Sequence, residues 1–458
     1  MLIGFSVSNF KSFKDTQTIS FLASKIVRHK KHIAMKGNRR ILKSGLIFGA
    51  NAGGKSNLIK AIEFSRAMIT NGLDKVDLSK CHFRIENSMY KVPGIFEYRL
   101  LLDDVEYSYG LAISYVTKEI ISEWCVRTEA SGNEIYLFNR NVDDSGKSSA
   151  ESEYEFDNEV ERVKMQFLLE GFGENITETY RKKSILGDIA LRIGDKEGIF
   201  AEIRKIYEWI NNIIIVFPNS KYKALNEVAA DDDIRDIFSG LIRYFDTGVE
   251  SLEGQQREMD FDVIFNDLSR EDAEKIKIDI SNIVNEYPTM IKIKNQIYVL
   301  RKDQEGNIIY NKLLLNHGNT DDLFEYADES DGTKRLFDLL PLFLKSMTER
   351  TIFVDEIDRS LHTNLTKEFF KLYYKLVEEK NCQLIATTHD SNLLDLDLVR
   401  QDEIWFVERQ EDNSSELFSL NRFKERFDKK IDKEYLLGRY GAIPLFDGDF
   451  ELGESNDE

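Results

Sequence analysis

The sequence predicts an α/β fold with a mixed or parallel core sheet, an antiparallel β-subdomain and a mostly helical insert. Three observations lead to this prediction. Short segments that alternate apolar and polar residues, divided by turn residues, fill positions 94–140 and predict an antiparallel sheet. Residues 150–325 are mostly helical in pattern, and the strand-like segments IKIKNQIYVL and NIIYNKLLLN lead out of this region. The last third of the chain alternates strands with helices, which is typical of a parallel sheet with crossover helices.

The N-terminal part of the core begins with strands. LIGFSVSNF and TISFLA alternate in polarity, and ILKSGLIFG is a more continuous apolar run that ends in glycines. A helix is predicted from Lys55, because Leu58, Ile59, Ala61 and Ile62 recur at helical spacing. In the C-terminal third, TIFVDE, CQLIATTHD and DEIWFVER are predicted strands.

We expect four segments along the chain. Residues 1–150 form the N-terminal lobe, 151–325 the insert, 326–445 the C-terminal lobe and 446–458 an acidic, disordered tail. The first boundary is placed at an acidic, serine-rich stretch, residues 141–157. No heptad repeat is long enough for a sizeable coiled coil, and no internal repeat is present.

The composition is that of a soluble globular protein. Of 458 residues, 42% are hydrophobic and 31% are charged, and no apolar run approaches the roughly 20 residues of a membrane helix. The first residues alternate as a strand does, unlike a signal peptide. Cys81, Cys125 and Cys382 lie far apart without metal-binding spacing. We therefore expect free, buried thiols in a reducing cytoplasm.

The net charge of −19 argues against a protein that coats nucleic acid over its whole surface. One run of the sequence is nevertheless basic. It is interpreted either as a local nucleic-acid-binding groove or as a solvated loop between two strands. The run comprises Arg28, Lys30, Lys31, Lys36, Arg39, Arg40 and Lys43, with His29 and His32 among them.

Residues 49–56, GANAGGKS, match the phosphate-binding pattern G-x-x-x-x-G-K-[ST]. Roughly 0.01–0.02 such matches are expected by chance in a chain of this length. The preceding strand and following helix supply the structural context that the pattern needs. The glycines let backbone N–H groups surround phosphate oxygens at the positive end of the helix. Lys55 is placed to bridge the β- and γ-phosphates, and Ser56 to offer its hydroxyl to Mg²⁺.

Two further predicted strands end in polar residues. Asp355 and Glu356 follow a buried strand, where two carboxylates are costly unless a metal or a donor meets them. Asp355 is the expected carboxylate on the magnesium side, and Glu356 is placed to orient or deprotonate an attacking water. His389 ends the next strand, where its side chain can reach a γ-phosphate.

Residues 329–333, ESDGT, open the helix TKRLFDLLPLFLK. Ser330 is a plausible N-cap, and Gly332 permits close approach of the backbone to a phosphate. Pro341 is expected to kink this helix or to end its first half.

In this order the motifs resemble the ABC ATPase superfamily, specifically the soluble heads of its SMC/RecF/OLD-like branch. NFKSF resembles the start of those heads, where Lys11 would lie beside the nucleotide. GANAGGKS resembles their Walker A motif, ESDGT a variant signature, TIFVDE Walker B, IDRSLH the D-loop and TTHD the H-switch. The closing stretch YLLGRYGAIP resembles bacterial AAA ATPases of anti-phage defence, of the AbiL abortive-infection type.

The resemblance implies a P-loop NTPase of the ABC/SMC-head type that binds ATP and Mg²⁺, hydrolyses ATP and assembles from head-to-head dimers. In such dimers the serine and glycine of one signature bind the γ-phosphate held by the other copy. The implied catalytic residues are Lys55, Glu356 and His389, and the implied Mg²⁺ residues are Ser56 and Asp355. The implied ATP-binding residues are Lys11, Gly49, Asn51, Gly53, Gly54, Lys55, Ser56, Asn57, Ser330, Gly332 and Asp358.

The sequence departs from the superfamily pattern at two places. Glu329, Asp331 and Thr333 replace the leucine, first glycine and glutamine of the usual L-S-G-G-Q signature. The glutamine that normally completes the magnesium shell has no evident counterpart, and Gln166 is the candidate.

A complete nucleotide site without a second catalytic constellation predicts an ATP-gated dimeric sensor or scaffold in a multi-component anti-phage system. Its insert would hold or release a toxic effector encoded nearby, such as a nuclease. The alternative is a RecF/SMC-like DNA-repair ATPase, favoured by the basic run and opposed by the net acidity and the lack of a coiled coil. An OLD-type nuclease needs a further acidic domain, for which too little chain follows His389, and a transporter subunit needs a membrane partner.

Overall fold

The computed structural model describes residues 1–156, 158–194, 198–218, 228–229, 231–259, 269–283, 289–293, 296–303, 306–344 and 350–444. The chain forms two compact units. The first comprises Met1–Ile215, Glu349–Ile357 and Val377–Glu458, and the second comprises Val216–Thr348 and Asp358–Leu376. These limits differ from the predicted segments, since residues 151–215 lie in the first unit. The predicted tail, 446–458, lies outside the described residues.

A seven-stranded antiparallel sheet lies in the first unit, in the order β10-β9-β8-β7-β6-β1-β2, with strands numbered along the chain. Its strands are β1 (Leu2–Ser8), β2 (Gln17–Ser20), β6 (Gly94–Leu102), β7 (Val105–Ser114), β8 (Glu119–Thr128), β9 (Glu134–Val142) and β10 (Ser148–Glu151). The antiparallel sheet predicted from the alternating segments is confirmed. The short strand β10 arises within the acidic stretch where a loop was expected, so that expectation was wrong for these four residues.

The core sheet has six strands, in the order β11-β17-β18-β5-β19-β20. Its strands are β5 (Ser44–Phe48), β11 (Ile214–Val216), β17 (Thr351–Val354), β18 (Gln383–Thr387), β19 (Ile404–Arg409) and β20 (Ser415–Ser419). β17, β18, β5 and β19 run parallel, and β20 is antiparallel to β19. Every residue of β5, β17 and β18 is buried, as expected of parallel strands covered on both faces. The sheet is therefore mixed with a parallel centre, as predicted.

The predicted basic run folds as a short 3₁₀ turn, Lys30–His32, and a hairpin of β3 (Ile33–Lys36) and β4 (Arg39–Leu42). The apolar run ILKSGLIFG is divided between β4 and β5, which belong to different sheets. Lys43 lies between them and is buried, with Nζ donating to the carbonyls of Val377 and Glu378 at 2.7 and 2.6 Å. Desolvation by burial lowers the pKa of Lys43.

The helices of the first unit lie on both sides of the predicted boundary at residue 150. They are α1 (Lys55–Asn71), Glu159–Glu170, Glu178–Arg181, Ile185–Arg192, Gly198–Asn211 and Ile431–Leu436. α1 begins at the lysine of the phosphate-binding pattern, as predicted, and ends at Asn71, where Gly72 with a φ of 96° forms the C-cap.

The second unit contains a five-stranded antiparallel sheet, in the order β12-β15-β14-β13 with β16 beside β15. Its strands are β12 (Ser251–Glu258), β13 (Thr289–Ile293), β14 (Gln296–Lys302), β15 (Ile308–Asn316) and β16 (Phe324–Glu325). Its helices are Asp232–Tyr244, Arg270–Ile283, Asp331–Leu339 and Thr363–Leu376. The strands β13, β14 and β15 lie where the segments IKIKNQIYVL and NIIYNKLLLN predicted strands, whereas β12 and β16 were not predicted. The helix at Asp331 ends at Leu339, before Pro341, which lies in a 3₁₀ turn, as predicted.

Two expectations from composition can be checked on the structure. Cys81, Cys125 and Cys382 are all buried thiols outside any disulfide, as predicted. Within the described part of the chain, no helix combines the length and the apolar character that crossing a membrane requires.

Candidate nucleotide site

The strand order brings three polar chain segments to one edge of the core sheet. β17, β18 and β5 are parallel neighbours, with Val354 opposite Ala386 and Thr387 opposite Ile47. Their carboxyl ends therefore lie side by side, where ligands of open α/β sheets bind. The loop 49–54 follows β5, Asp355 and Glu356 follow β17, and His389 lies two residues beyond β18.

The loop after β5 has the backbone of a phosphate cradle. Gly49 and Gly54 have φ angles of 155° and 116°. A Cβ at Gly49 would collide with the carbonyl of Val407, and one at Gly54 with the hydroxyl of Ser415. α1 starts directly after this loop and has no acidic residue in its first turn. The positive helix terminus therefore stays available for an anion.

Lys55 connects this loop to the end of β18. Its side chain is buried, and Nζ donates to the carbonyl oxygens of Gly49 at 2.7 Å and Ala50 at 3.1 Å. The same Nζ lies 3.4 Å from Nδ1 of His389, which is exposed. The loop, its lysine and the histidine are thus close together, as their positions in the sequence predicted.

Asp355 is the centre of a hydrogen-bonded cluster. Its carboxylate is buried, and Oδ1 accepts a hydrogen bond from Ser56 at 3.0 Å and another from Thr387 at 2.6 Å. The Thr387 hydroxyl in turn accepts the backbone N–H of Glu356 at 2.8 Å. Glu356 is half-buried and has a left-handed φ of 49°, which turns the chain sharply at this point.

Thr387 was not predicted as a site residue. Its single hydroxyl fixes Asp355 and the backbone of Glu356 together, so it orients both predicted carboxylates. The signal was present in the sequence, because Thr387 and Thr388 are the polar residues that directly follow the apolar run 384–386. The sequence alone could not show that this strand lies between β17 and β5.

Three further side chains form hydrogen bonds at or next to the phosphate loop, those of Ser12, Asn57 and Ser415. Ser415 on β20 donates to the carbonyl of Gly53 at 2.6 Å, and its N–H donates to the carbonyl of Ser12 at 2.8 Å. Asn57, a predicted nucleotide residue, donates to the hydroxyl of Ser12 at 2.8 Å. Asn57 lies in the first turn of α1 and therefore ties the NFKSF segment to the helix that follows the phosphate loop. Asn51 is exposed in the turn of the loop.

Lys11 lies in this tethered segment. It has a left-handed φ of 51°, its N–H donates to the carbonyl of Cys81 at 2.5 Å, and its Nζ lies 5.5 Å from the ring centroid of Phe10. Burial raises the pKa of the Cys81 thiol, so this neighbour is uncharged at neutral pH. The predicted contact between Lys11 and a nucleotide stays a prediction.

The remaining predicted site residues belong to the second unit. Ser330 is the N-cap of the helix Asp331–Leu339, as expected, and its hydroxyl accepts the N–H of Thr333 at 3.1 Å. A Cβ on Gly332 would lie 3.0 Å from the carbonyl of Ser360, so the backbone packs tightly there. The carbonyl of Asp358 accepts the N–H of Leu361 at 3.0 Å, which forms a turn.

Gln166, the candidate for the missing magnesium ligand, lies exposed on the helix Glu159–Glu170. Its amide nitrogen is 3.3 Å from Oε1 of Glu170. This contact gives no support to a role beside Ser56 and Asp355.

The residues at the sheet edge suit Mg²⁺ bound together with a nucleotide. Ser56 and Asp355 present hard oxygen donors 3.0 Å apart beside the phosphate loop. No cluster of three or more His, Cys, Asp or Glu suited to a metal occurs among the described residues. Mg²⁺ is commonly held by one or two carboxylates plus substrate phosphates, so this small donor set fits it.

The phosphate loop, the buried lysine and the carboxylate at the end of a parallel strand define a P-loop NTPase fold. The family model described as "AAA domain, putative AbiEii toxin, Type IV TA system" matches residues 199–395. This stretch includes Asp355, Glu356 and His389 and excludes the phosphate loop. The SMC head domain from Thermotoga maritima aligns over 91% of this chain and 98% of that chain, with 14% identity and a TM-score of 0.37. No curated protein matches the sequence.

The hydroxyl of Thr387 can be tested directly. We expect Thr387→Val to lower ATP turnover about tenfold, since a hydrogen bond to a charged group contributes ~1.5–3 kcal/mol. Turnover and magnesium dependence would be measured by phosphate release. Thr351→Val is the matched control, because Thr351 is also buried but lies at the opposite end of β17. Equal turnover in the two variants would contradict the role given to Thr387.

Proposed function

We propose that this chain binds and hydrolyses ATP, and that ATP drives two copies to pair head to head. In this proposal the paired state acts as a sensor or scaffold in a multi-component anti-phage system and controls a toxic effector. The observation that carries the proposal is the cluster at the edge of the core sheet, where Ser56 and Thr387 both donate to Asp355. Lys55 lies beside it with His389 within 3.4 Å.

Each residue of the cluster has a distinct chemical task. The loop N–H groups and Lys55 would hold the β- and γ-phosphates, since both supply positive charge to an anion. Ser56 and Asp355 would hold Mg²⁺, which neutralises phosphate charge when bound. Glu356 would orient the attacking water and take its proton. His389 would contact the γ-phosphate and so distinguish ATP from ADP.

The defence role is supported by the matched family's description and by the closing stretch of the sequence. The description of the matched family names a putative toxin and a toxin–antitoxin system, which agrees with a two-component arrangement. The resemblance of the closing stretch to abortive-infection ATPases points in the same direction.

The proposal can be tested with the purified protein and with its neighbouring gene product. We expect ATP with Mg²⁺ to convert single copies to dimers in light scattering, and ADP not to do so. The effector should co-purify with the chain, and cells should be protected only when both are present. Protection by this chain alone would contradict control of an effector, whereas failure to dimerise with ATP would contradict the pairing.

The DNA-repair alternative gains no support from the basic run. Arg28, Lys31 and Arg39 form ion pairs with Asp397, Glu378 and Glu106 at 2.6, 2.7 and 2.6 Å. His32 is buried with Nδ1 3.0 Å from a carboxylate oxygen of Glu403. Carboxylates beside these cations oppose the binding of phosphates, so the run is a poor DNA groove.

We therefore expect no DNA-stimulated ATP turnover, and no change when Arg39 and Arg40 are replaced by glutamate. The measurement is ATP turnover and DNA binding by fluorescence anisotropy, at about 50 and 200 mM salt. Salt-dependent binding that the double charge reversal abolishes would establish the alternative.

A further inference from the structure

Glu329 immediately precedes Ser330 and occupies the position where the usual signature has leucine. The structure gives this carboxylate a partner. Glu329 is buried, and its Oε1 lies 2.7 Å from Nε2 of His317, which follows β15. A buried carboxylate is costly unless it is paired, so this contact accounts for a charged residue at an apolar position.

His317 makes a second contact through its other ring nitrogen. Nδ1 lies 3.0 Å from the carbonyl oxygen of Gly248, in the segment between the helix Asp232–Tyr244 and β12. Both ring nitrogens therefore face acceptors, whereas a neutral imidazole has only one donor. Both hydrogen bonds form when the pair holds one shared proton, as an imidazolium with a carboxylate or as an imidazole with a carboxylic acid. The pair thus ties three segments of the second unit together.

Lys334 also holds the segment that contains Glu329. Its Nζ donates to the carbonyls of Ala327 and Glu329 at 2.8 and 2.5 Å. Ser330 caps the helix Asp331–Leu339 directly after this point. The side chain and the carbonyl of Glu329 are therefore both fixed, directly after the 3₁₀ turn Tyr326–Asp328 and directly before Ser330.

We propose that His317 and Glu329 are positioning residues, which hold Ser330 and Gly332 in the geometry that receives the γ-phosphate bound by a second copy. This inference rests on the proposed pairing. An anion site made of a hydroxyl and backbone N–H groups depends on position, and a displacement of about 1 Å can cost on the order of a hundredfold.

The experiment measures two quantities for each variant: the dissociation constant of the ATP-bound dimer and the melting temperature. We expect His317→Phe to weaken pairing about tenfold or more, while nucleotide affinity of single copies stays unchanged. Glu329→Gln should retain pairing, because the glutamine amide can donate to Nε2 of a neutral His317 whose Nδ1–H still bonds Gly248. Pairing of His317→Phe at the wild-type level would overturn the inference.

The double variant His317→Phe with Glu329→Leu separates positioning from stability. Replacing both polar partners by apolar groups is close to neutral for folding, so the melting temperature should recover. Pairing should remain weak, because no tether to Gly248 is left. Recovery of pairing together with stability would overturn the positioning role. This variant also serves as the test if His317→Phe alone does not fold.

Ser330→Ala distinguishes failure of this inference from failure of the proposed function. If Ser330→Ala weakens pairing and the His317 variants do not, the inference alone is wrong. If ATP induces no pairing in the wild type, or Ser330→Ala leaves pairing unchanged, the proposed sharing of the nucleotide site is wrong and the inference fails with it.

Discussion

We expect Lys55→Ala to abolish nucleotide binding, the largest single effect in this protein. Lys55 is buried and surrounded by the loop carbonyls of Gly49 and Ala50, with His389 beside it. A nucleoside triphosphate brings several negative charges to this loop. Lys55 is the cationic side chain that the phosphate-binding pattern places beside them. Removing a charged partner from a largely desolvated site costs several kcal/mol, or more than about a hundredfold in affinity.

Binding is measured by titration with a fluorescent ATP analogue in the presence of Mg²⁺. Lys60→Ala is the matched control, because Lys60 lies on the same helix, in its second turn, and is exposed. The control should bind as the wild type does. Retained affinity in Lys55→Ala, with the control also unchanged, would remove the phosphate loop from the proposed site.

Glu356→Gln is expected to retain ATP binding and to lose hydrolysis. The side chain keeps its shape, and the backbone N–H of residue 356 can still donate to Thr387, so the local geometry should persist. An amide cannot accept a proton from water, and loss of a general base costs about 10²–10⁴-fold in rate. Because ATP then stays intact, the paired state should accumulate.

This prediction needs two measurements: single-turnover hydrolysis, and the dimer fraction after addition of ATP. Glu379→Gln, an exposed glutamate of the first unit, is the control and should hydrolyse ATP normally. Turnover in Glu356→Gln within a few-fold of the wild type would remove Glu356 from the role of base. Slow turnover without a stable dimer would support Glu356 as the general base. It would contradict the proposal that hydrolysis is needed for the dimer to dissociate.

The two positions also separate binding from chemistry. Lys55→Ala acts on the ground state, so neither pairing nor turnover should be seen. Glu356→Gln acts on the reaction step, so pairing should increase as turnover falls. A protein that controls its effector by ATP binding alone would keep its cellular function in the second variant and lose it in the first.

The sequence by itself determined the local elements of the site. The loop 49–54 and its helix follow from glycines, a lysine and apolar spacing, which act within one short stretch of chain. Asp355 and His389 were found because polar residues closing an apolar strand are visible in the sequence without its partners. Ser330 as an N-cap and Pro341 as the end of a helix are local effects of the same kind.

Only the tertiary structure decided which of these elements meet. The placement of β18 between β17 and β5 is set by packing of the whole sheet, and it made Thr387 the link between Asp355 and Glu356. The support of the loop by Ser415, and the pairing of Glu329 with His317, join residues that are distant in sequence. Neither has a local pattern, because a hydrogen bond across the fold depends on position in space and not on spacing along the chain.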